Sequence, residues 1–166
     1  MSDITFRNVE KPDLPVIRDI YNHYLRTTTA TFRVEEMTTE KLKDFIFLHH
    51  QKYGAFLIHS RGELAGFCFL TRFKNAEGYN RTAEIGIYLK PEFTRRGLGA
   101  TVVKYLQEVA RKSGIKMLMA SICGENTASL KLFRKLAYDE CGHFKHVGEK
   151  FGRTLDVVFF QRSLER

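Results

Sequence analysis

Cysteine is scarce in this 166-residue sequence, and the spacing of the cysteines excludes two kinds of site. Cys68, Cys123 and Cys141 lie far apart within apolar sequence. An odd number of cysteines without a C-x-x-C pair does not fit a zinc site or a dithiol motif. We therefore expect free thiols in a reducing compartment, and no metal site.

Long hydrophobic runs are also missing. No apolar stretch approaches the ~20 residues that a transmembrane helix needs, and residues 1–5 lack the basic and apolar regions of a signal peptide. We find no internal repeat, linker or low-complexity segment, and 166 residues is an ordinary size for one domain. We expect a single cytoplasmic domain over residues 1–166 with no membrane partner.

Acidic residues are outnumbered, which gives a net charge of +8. Most of the excess comes from residues 84–166, where 15 Lys and Arg stand against 9 Asp and Glu. A basic surface suits nucleic acid, a membrane surface or a phosphate-bearing cofactor. Because the basic residues are scattered and no RNP-type aromatic motif is present, we expect no nucleic acid partner.

Hydrophobic periodicity predicts an α/β domain with a central sheet. The predicted strands cover residues 4–9, 55–59, 63–71, 81–89, 117–123, 138–147 and 154–163. The predicted helices begin near Asp13, Thr38, Gly97 and Asn126. Asp13 and Asn126 are expected to cap their helices. The fold class is thus a mixed central sheet of about seven strands, flanked by about four helices.

Two glycines and two arginines lie between the fourth strand and the helix that follows it, in the segment Thr94-Arg95-Arg96-Gly97-Leu98-Gly99-Ala100. Glycines allow the backbone to approach a phosphate, and the amides and dipole of a helix start favour negative charge. A nucleotide P-loop is excluded because its Gly-Lys-Ser/Thr ending is missing. The segment predicts a pyrophosphate site, although a glycine-rich helix start without a ligand fits the same pattern.

On these residues the sequence resembles the GNAT acetyltransferases, whose pyrophosphate loop reads Gln/Arg-x-x-Gly-x-Gly/Ala. Gly97 and Gly99 match this loop, whereas Thr94 departs from its first position. The resemblance covers residues 4–164 and is closest to the phosphinothricin and methionine sulfoximine acetyltransferases. The segments similar to that branch are Ile20-Tyr21-Asn22, Thr29-Ala30-Thr31-Phe32, Thr82-Ala83-Glu84, and residues 147–153 with Asp156.

The resemblance implies a GNAT fold, often as a homodimer, and an acetyl-CoA-dependent N-acetyltransferase. The implied acceptor is the amine of a small amino acid analogue. Alternatives are a GNAT enzyme that acetylates a peptide N-terminus, a polyamine or a drug amine, or a non-catalytic CoA-binding module. The residues implied to bind acetyl-CoA are Ile87, Tyr88, Leu89, Arg95, Arg96, Gly97, Leu98, Gly99, Ala100, Asn126 and Ser129.

Acetyl transfer needs a neutral amine and only a modest base, because an α-amino group titrates near pH 7.7 to 8.0. Strand alternation turns Glu84 away from the face of Ile85, Ile87 and Leu89, and Gly86 is expected to leave room beside it. Taken alone, the alternation favours an ordinary solvent-facing glutamate over a catalytic base. The resemblance favours Glu84 as the general base.

For the thioester carbonyl, the resemblance implies a bulge in the fourth strand that exposes the backbone amide near Leu89. A regular strand with Leu89 in the core is the alternative. Many relatives protonate the leaving thiolate with a tyrosine, but Phe133 occupies that position here. Water, Tyr88 or Tyr138 remain as substitutes.

Several residues are candidates for substrate recognition. The resemblance implies that Lys74, Asn75 and Ala76 contact the substrate, together with Tyr79, Arg81 and Glu84. Lys74 or Arg81 could pair with a substrate carboxylate, or each could be a solvated surface charge. Phe151 stands where some phosphinothricin-modifying relatives carry histidine, so the predicted acceptor stays a small amino acid analogue in general.

Overall fold

A seven-stranded mixed sheet runs through the computed structural model, which describes residues 3–165. Its strands lie in the order β1-β2-β3-β4-β5-β7-β6. Neighbours pair antiparallel except β4 and β5, which are parallel. The strands are β1 (Ile4–Asn8), β2 (Gly54–Ser60), β3 (Glu63–Arg72), β4 (Thr82–Leu89), β5 (Met117–Cys123), β6 (Asp139–Lys150) and β7 (Arg153–Ser163). The predicted mixed sheet of about seven strands is confirmed.

Three helices cover the two faces of this sheet: α1 (Leu14–Thr27), α2 (Leu98–Lys112) and α3 (Thr127–Lys135). Ile17, Tyr21 and Leu25 repeat every four residues, so α1 packs one apolar stripe against one face. We call this the α1 side of the sheet. Helices α2 and α3 pack on the other face, the α2 side, through residues such as Leu106 and Phe133. Within residues 3–165, none of the helices is long and apolar enough to cross a membrane.

The helix predicted to begin at Thr38 does not form. The segment contains one 3-10 turn, Lys41–Asp44, so the described chain has three α-helices rather than about four. Phe45 and Ile46 pack on the α1 side, while the neighbouring Phe47 packs on the α2 side. Adjacent residues that serve opposite faces of a sheet cannot lie on one helical stripe, and the segment therefore stays irregular.

Asp13 occupies the predicted N-cap position of α1, but the expected capping by its side chain is wrong. Asp13 closes a 3-10 turn before α1, and its side chain makes no cap hydrogen bond to that helix. Its carboxylate instead accepts from the backbone amide of Glu10 at 2.8 Å and pairs with Arg7 at 2.8 Å. The carboxylate thereby fixes the turn that leads from β1 into α1.

Candidate active site

A gap opens in the sheet between β4 and β5. The two strands pair only at residues 82–84 of β4 and 117–119 of β5. Beyond these residues, β4 stays paired with β3 as far as Leu89, and β5 stays paired with β7 as far as Cys123. Because the outer pairings continue where the inner one stops, the carboxyl ends of β4 and β5 leave an open edge, the β4–β5 gap.

Backbone groups of Ile87 and Leu89 face this gap. At the start of β4 the Met117 amide donates to the Arg81 carbonyl at 3.1 Å, and beyond its end the Lys90 amide donates to Ala65 of β3 at 2.8 Å. Backbone amides alternate in direction along a strand. The amides of Ile87 and Leu89 therefore point away from β3, to the side where β5 has diverged.

The predicted bulge in β4 is absent from this pairing. Between Ala83 and Leu89 the register of β4 against β3 runs without a shift. A shift does occur nearby, between β2 and β3 at Ile58 and His59. The divergence of β5 therefore exposes the Leu89 amide, and no distortion of β4 is needed. Whether that amide binds a thioester carbonyl stays a prediction.

Glu84 lies where the gap begins, as the last residue of β4 that pairs with β5. It is opposite Thr71 in β3 and is partly buried on the α1 side. Burial raises the pKa of the Glu84 carboxyl to about 7. A carboxyl with this pKa can accept and release a proton near neutral pH, as a general base must.

The space expected beside Glu84 is filled by an aromatic ring. Gly86 faces Phe69 across the β3–β4 pair, and a Cβ on Gly86 would lie 2.0 Å from that ring. Tyr88, two residues further along the same face, stacks on Phe67 with ring centroids 5.3 Å apart. The α1 side next to Glu84 is thus an aromatic wall, and the prediction that Gly86 leaves an open space is wrong.

The segment after β4 forms a cradle of backbone amides. Arg95 and Gly97 have positive φ angles of 59° and 78°, whereas the intervening Arg96 does not. Alternating signs of φ turn successive amides toward one side, which makes a concave anion site. Within the described chain, no backbone carbonyl accepts from the amides of residues 95–97. Together with the open first turn of α2 from Leu98, residues 95–100 fit a pyrophosphate.

Gly99 has a packing role in this cradle. A Cβ there would lie 2.9 Å from a methyl group of Leu132, so the glycine lets α2 begin against α3. At the start of α3, the side-chain oxygen of Asn126 accepts from the Ser129 amide at 3.2 Å. The predicted cap is confirmed, and a contact of Asn126 or Ser129 with CoA stays a prediction.

The residues predicted to bind substrate lie in two surroundings. Lys74 has its ammonium 5.4 Å from the ring centre of Tyr79, in an exposed loop that also contains Asn75 and Ala76. Arg81 forms a 2.8 Å ion pair with Glu165 at the start of β4, so its charge already has a partner. Among residues 3–165, no hydrogen bond or ion pair joins these side chains to Glu84.

One side chain at the gap itself was not predicted from the sequence. The hydroxyl of Tyr24, on α1, donates a hydrogen bond to the carbonyl oxygen of Leu89. The Tyr24 ring also meets Tyr88 edge to face, with centroids 5.3 Å apart. In the sequence, Tyr24 belongs to the apolar stripe of α1, and only its hydroxyl group distinguishes it from a core residue.

A buried lysine was also missed. Lys150 is 3% exposed, and its ammonium donates to the carbonyl oxygens of Thr28 at 2.9 Å and Thr31 at 2.7 Å. We call residues 28–32, which follow α1, the strap. Glu125 binds the strap as well, because it accepts from Thr29 at 2.8 Å and pairs with Arg153 at 3.0 Å. The end of the β6–β7 hairpin is thereby fastened to the end of α1.

The described residues contain no group of three or more His, Cys, Asp and Glu side chains arranged to hold a metal ion.

Comparison with known proteins identifies the fold. Residues 6–159 match the family described as acetyltransferase (GNAT) domain. The phosphinothricin N-acetyltransferase of Streptomyces viridochromogenes is 30% identical over 162 residues, which is 98% of this chain and 88% of that protein. The L-methionine sulfoximine/L-methionine sulfone acetyltransferase of Pseudomonas paraeruginosa is 30% identical over 163 residues, which is 97% of this chain and 95% of that protein.

A solved structure of a related acetyltransferase is also similar to this chain. The GNAT superfamily phosphinothricin acetyltransferase of Sinorhizobium meliloti, in complex with AcCoA, superposes with a TM-score of 0.88 at 27% identity. The superposition covers 96% of this chain and 88% of that one. The β4–β5 gap, the amide cradle and Glu84 therefore lie in a fold that binds acetyl-CoA in a related protein.

Proposed function

The chain belongs to the GNAT acetyltransferase family, and from that premise we propose that it transfers the acetyl group of acetyl-CoA directly to the amine of a small amino acid analogue. The proposed acceptors are of the phosphinothricin or methionine sulfoximine type, which the names of its relatives describe. One observation carries the proposal: a carboxyl with a pKa of about 7 lies at the closed end of a gap whose open end leads to an anion cradle.

The cradle would fix the distance between CoA and the carboxylate. Amides of residues 95–100 would bind the pyrophosphate, and Arg95 and Arg96, both exposed, would add positive charge beside it. The pantetheine arm would then extend into the β4–β5 gap beside the free amides of Ile87 and Leu89. The thioester would thus enter the gap from the end opposite Glu84.

Spacing along β4 favours the Ile87 amide as the donor to the thioester carbonyl. Three residues of strand span about 10 Å, whereas the five residues from Glu84 to Leu89 span about 17 Å. A base, an amine and a carbonyl oxygen bound to an amide must fit within about three hydrogen-bond lengths, or about 9 Å. The Leu89 amide, which we predicted for this role, would then pair with the pantetheine arm.

Glu84 would remove the proton that the amine loses on attack. An α-amino group has a pKa of 7.7 to 8.0, close to the value of about 7 for Glu84. Proton transfer between groups of similar pKa is nearly balanced, so the carboxylate can take the proton and return it to solvent. The electron pair of the amine then forms the amide bond, while the carbon–sulfur bond of the thioester breaks.

The proposal is tested by acetyl-CoA-dependent thiol release on a panel of amines. We expect turnover with phosphinothricin or methionine sulfoximine, and a 10²- to 10⁴-fold lower kcat/KM for Glu84→Gln. Glu63→Gln, at an exposed position of β3, is the matched control and should act like the wild type. Activity confined to peptides or polyamines would refute the acceptor class. Tight acetyl-CoA binding without turnover of any amine would refute the proposed enzymatic activity.

We also propose that the protein is a homodimer, as expected from the resemblance. Strand β6 is at an edge of the sheet and exposes Phe144 and Val147, with Phe151 in the turn that follows. These residues are 52%, 59% and 53% exposed, and apolar exposure along an edge strand and its turn supports association. Sedimentation equilibrium at micromolar concentration tests this, since a single species of monomer mass would contradict it.

A further inference from the structure

Breakdown of the thioester leaves negative charge on the sulfur, and the position predicted from the resemblance offers no donor for it. Phe133 is buried there and packs edge to face on Tyr138 at 4.9 Å. The Phe133 side chain has no polar atom, and the Tyr138 hydroxyl lies in the core on the α2 side, where it accepts from Gln107 at 3.1 Å. Tyr88, the other tyrosine named as a substitute, packs on the α1 side against Tyr21 and Phe67.

Tyr24 presents a hydroxyl at the gap. Because alternation turns both backbone groups of Leu89 toward the gap, the hydrogen bond from Tyr24 to the Leu89 carbonyl places the phenol oxygen at that open edge. The ring is held by Tyr88 at 5.3 Å and by His23 at 5.9 Å, in each case edge to face. The hydroxyl can rotate about its C–O bond while the ring stays fixed.

We propose that Tyr24 is a catalytic residue that donates a hydrogen bond to the CoA sulfur as it departs, an inference that rests on the acetyltransferase function proposed above. The electron pair of the broken carbon–sulfur bond goes to the sulfur, which leaves as a thiolate and takes its proton from water. Tyr24 keeps its own proton throughout. In the free protein the Leu89 carbonyl accepts this hydrogen bond, and the pantetheine amide can replace the phenol there.

The order of groups along β4 supports this assignment. Glu84 lies at the closed end of the gap, where the amine would arrive, and Ile87 follows about 10 Å further along. Leu89 lies about 7 Å beyond Ile87, toward the cradle from which the pantetheine arm would enter. The sulfur joins the acetyl carbon to that arm, so it falls between Ile87 and Leu89. Tyr24 approaches the strand at this level.

The phenol also has the required protonation state. Burial raises the pKa of Tyr24 above its usual value of 10, while the hydrogen bond to Leu89 opposes that shift. The hydroxyl therefore keeps its hydrogen near neutral pH, where the Glu84 carboxyl would act as a base. A hydrogen bond to a developing charge in a partly buried site is stronger than one between neutral groups.

Tyr24→Phe tests the assignment, because it removes the hydroxyl and keeps the ring. We expect kcat to fall about 10- to 100-fold, the range for loss of a hydrogen bond to a charged group, with the Kd for acetyl-CoA unchanged within about twofold. Tyr105→Phe is the matched control, since Tyr105 stacks on Phe6 outside the gap and should keep wild-type kcat. A wild-type kcat in Tyr24→Phe would overturn the inference.

A second measurement separates catalysis from support of Leu89. Fluorotyrosines at position 24 keep the shape of the ring and strengthen the hydroxyl as a donor, so kcat should rise as the phenol pKa falls, as long as that pKa stays above the assay pH. If Tyr24 only holds Leu89 in place, the Kd for acetyl-CoA should change in these variants while kcat stays constant, and that result would also overturn the inference. Failure of the wild type to turn over any amine would instead refute the proposed function, before any variant is compared.

Discussion

The ring of Phe69 occupies the position that a side chain on Gly86 would take. The two residues are direct partners across β3 and β4, and a Cβ on Gly86 would lie 2.0 to 2.5 Å from three carbons of the ring. The ring lies on the same face as Glu84, two residues away along β4. A ring whose tip fills the space over a glycine keeps water away from the neighbouring side chain, which contributes to the burial that raises the pKa of Glu84.

Gly86→Ala should therefore destabilise the protein. A methyl group at this position forces the ring of Phe69 aside within a packed face, which typically costs about 1–3 kcal/mol. Urea unfolding measures the loss. Gly78→Ala is the matched control, because a Cβ on Gly78 would meet nothing within 4 Å. Phe69→Leu combined with Gly86→Ala should recover part of the loss, and equal stability of Gly86→Ala and the wild type would contradict the packing.

The alternation along β4 predicts the face on which Glu84 lies but not the ring that covers Gly86. Period-two patterning assigns each side chain to a side of the sheet, and here it does so correctly for Glu84 and Ile85. It carries no information about which cross-strand neighbour leans over a glycine. The register of β3 against β4 decides that, and register depends on pairing between distant parts of the chain.

Glu84→Gln should change stability in a pH-dependent way. Because the folded pKa of about 7 is above the ordinary glutamate value of 4.5, the folded protein keeps a proton that the unfolded chain has lost. The associated stability is complete below pH 4.5 and is lost as the pH rises through 7. Glutamine carries no charge, so the variant should match the wild type near pH 4 and exceed its unfolding free energy by about 2–3 kcal/mol at pH 8.

Chemical denaturation at several pH values measures that difference. Glu63→Gln, at an exposed position, should show a small difference from the wild type that does not vary with pH. A constant difference between Glu84→Gln and the wild type from pH 4 to pH 8 would mean that the Glu84 carboxyl titrates normally. The role of Glu84 as a base near neutral pH would then lose its physical support.

Gly97→Ala tests the amide cradle, with Gly62→Ala as its matched control. Both glycines have φ near +80°, and a Cβ on either would meet nothing within 4 Å. Each substitution should therefore cost a similar 1–3 kcal/mol of stability through backbone strain alone. Gly62 lies in the β2–β3 turn, so only Gly97→Ala should weaken acetyl-CoA binding, by about tenfold in calorimetry. Equal affinities for acetyl-CoA in the two variants would mean that residues 95–100 do not bind the pyrophosphate.

The cradle was predictable from sequence because its residues are contiguous, whereas the strap contacts were not. Two glycines and two arginines at a helix start indicate an anion site before any fold is known. Lys150, in contrast, donates to a carbonyl 119 positions earlier in the chain. Side-chain patterns do not show which backbone carbonyls a lysine will contact. From the sequence, Lys150 therefore cannot be distinguished from a solvated lysine at the end of a strand.

The strap connects Lys150 to the aromatic wall beside Glu84. The Thr31 hydroxyl bonds the Tyr21 hydroxyl at 2.6 Å, and the rings of Tyr21 and Tyr88 lie 5.0 Å apart. Tyr88 lies on the same face of β4 as Glu84, four residues further along. If the ammonium of Lys150 were lost, the strap would lose two of its hydrogen bonds, and we expect the wall next to the proposed acceptor amine to become less fixed.

Lys150→Met should therefore weaken acceptor binding more than cofactor binding. Methionine keeps the apolar stem but leaves the carbonyls of Thr28 and Thr31 without a donor, which should lower the free energy of unfolding by about 1–3 kcal/mol. We expect a roughly tenfold higher KM for the amine and an unchanged Kd for acetyl-CoA, because the cradle lies on other residues. Lys145→Met, at an exposed position of the same strand, should change neither quantity. If Lys150→Met is measurably less stable but has an unchanged KM for the amine, Lys150 stabilises the fold and does not affect acceptor binding.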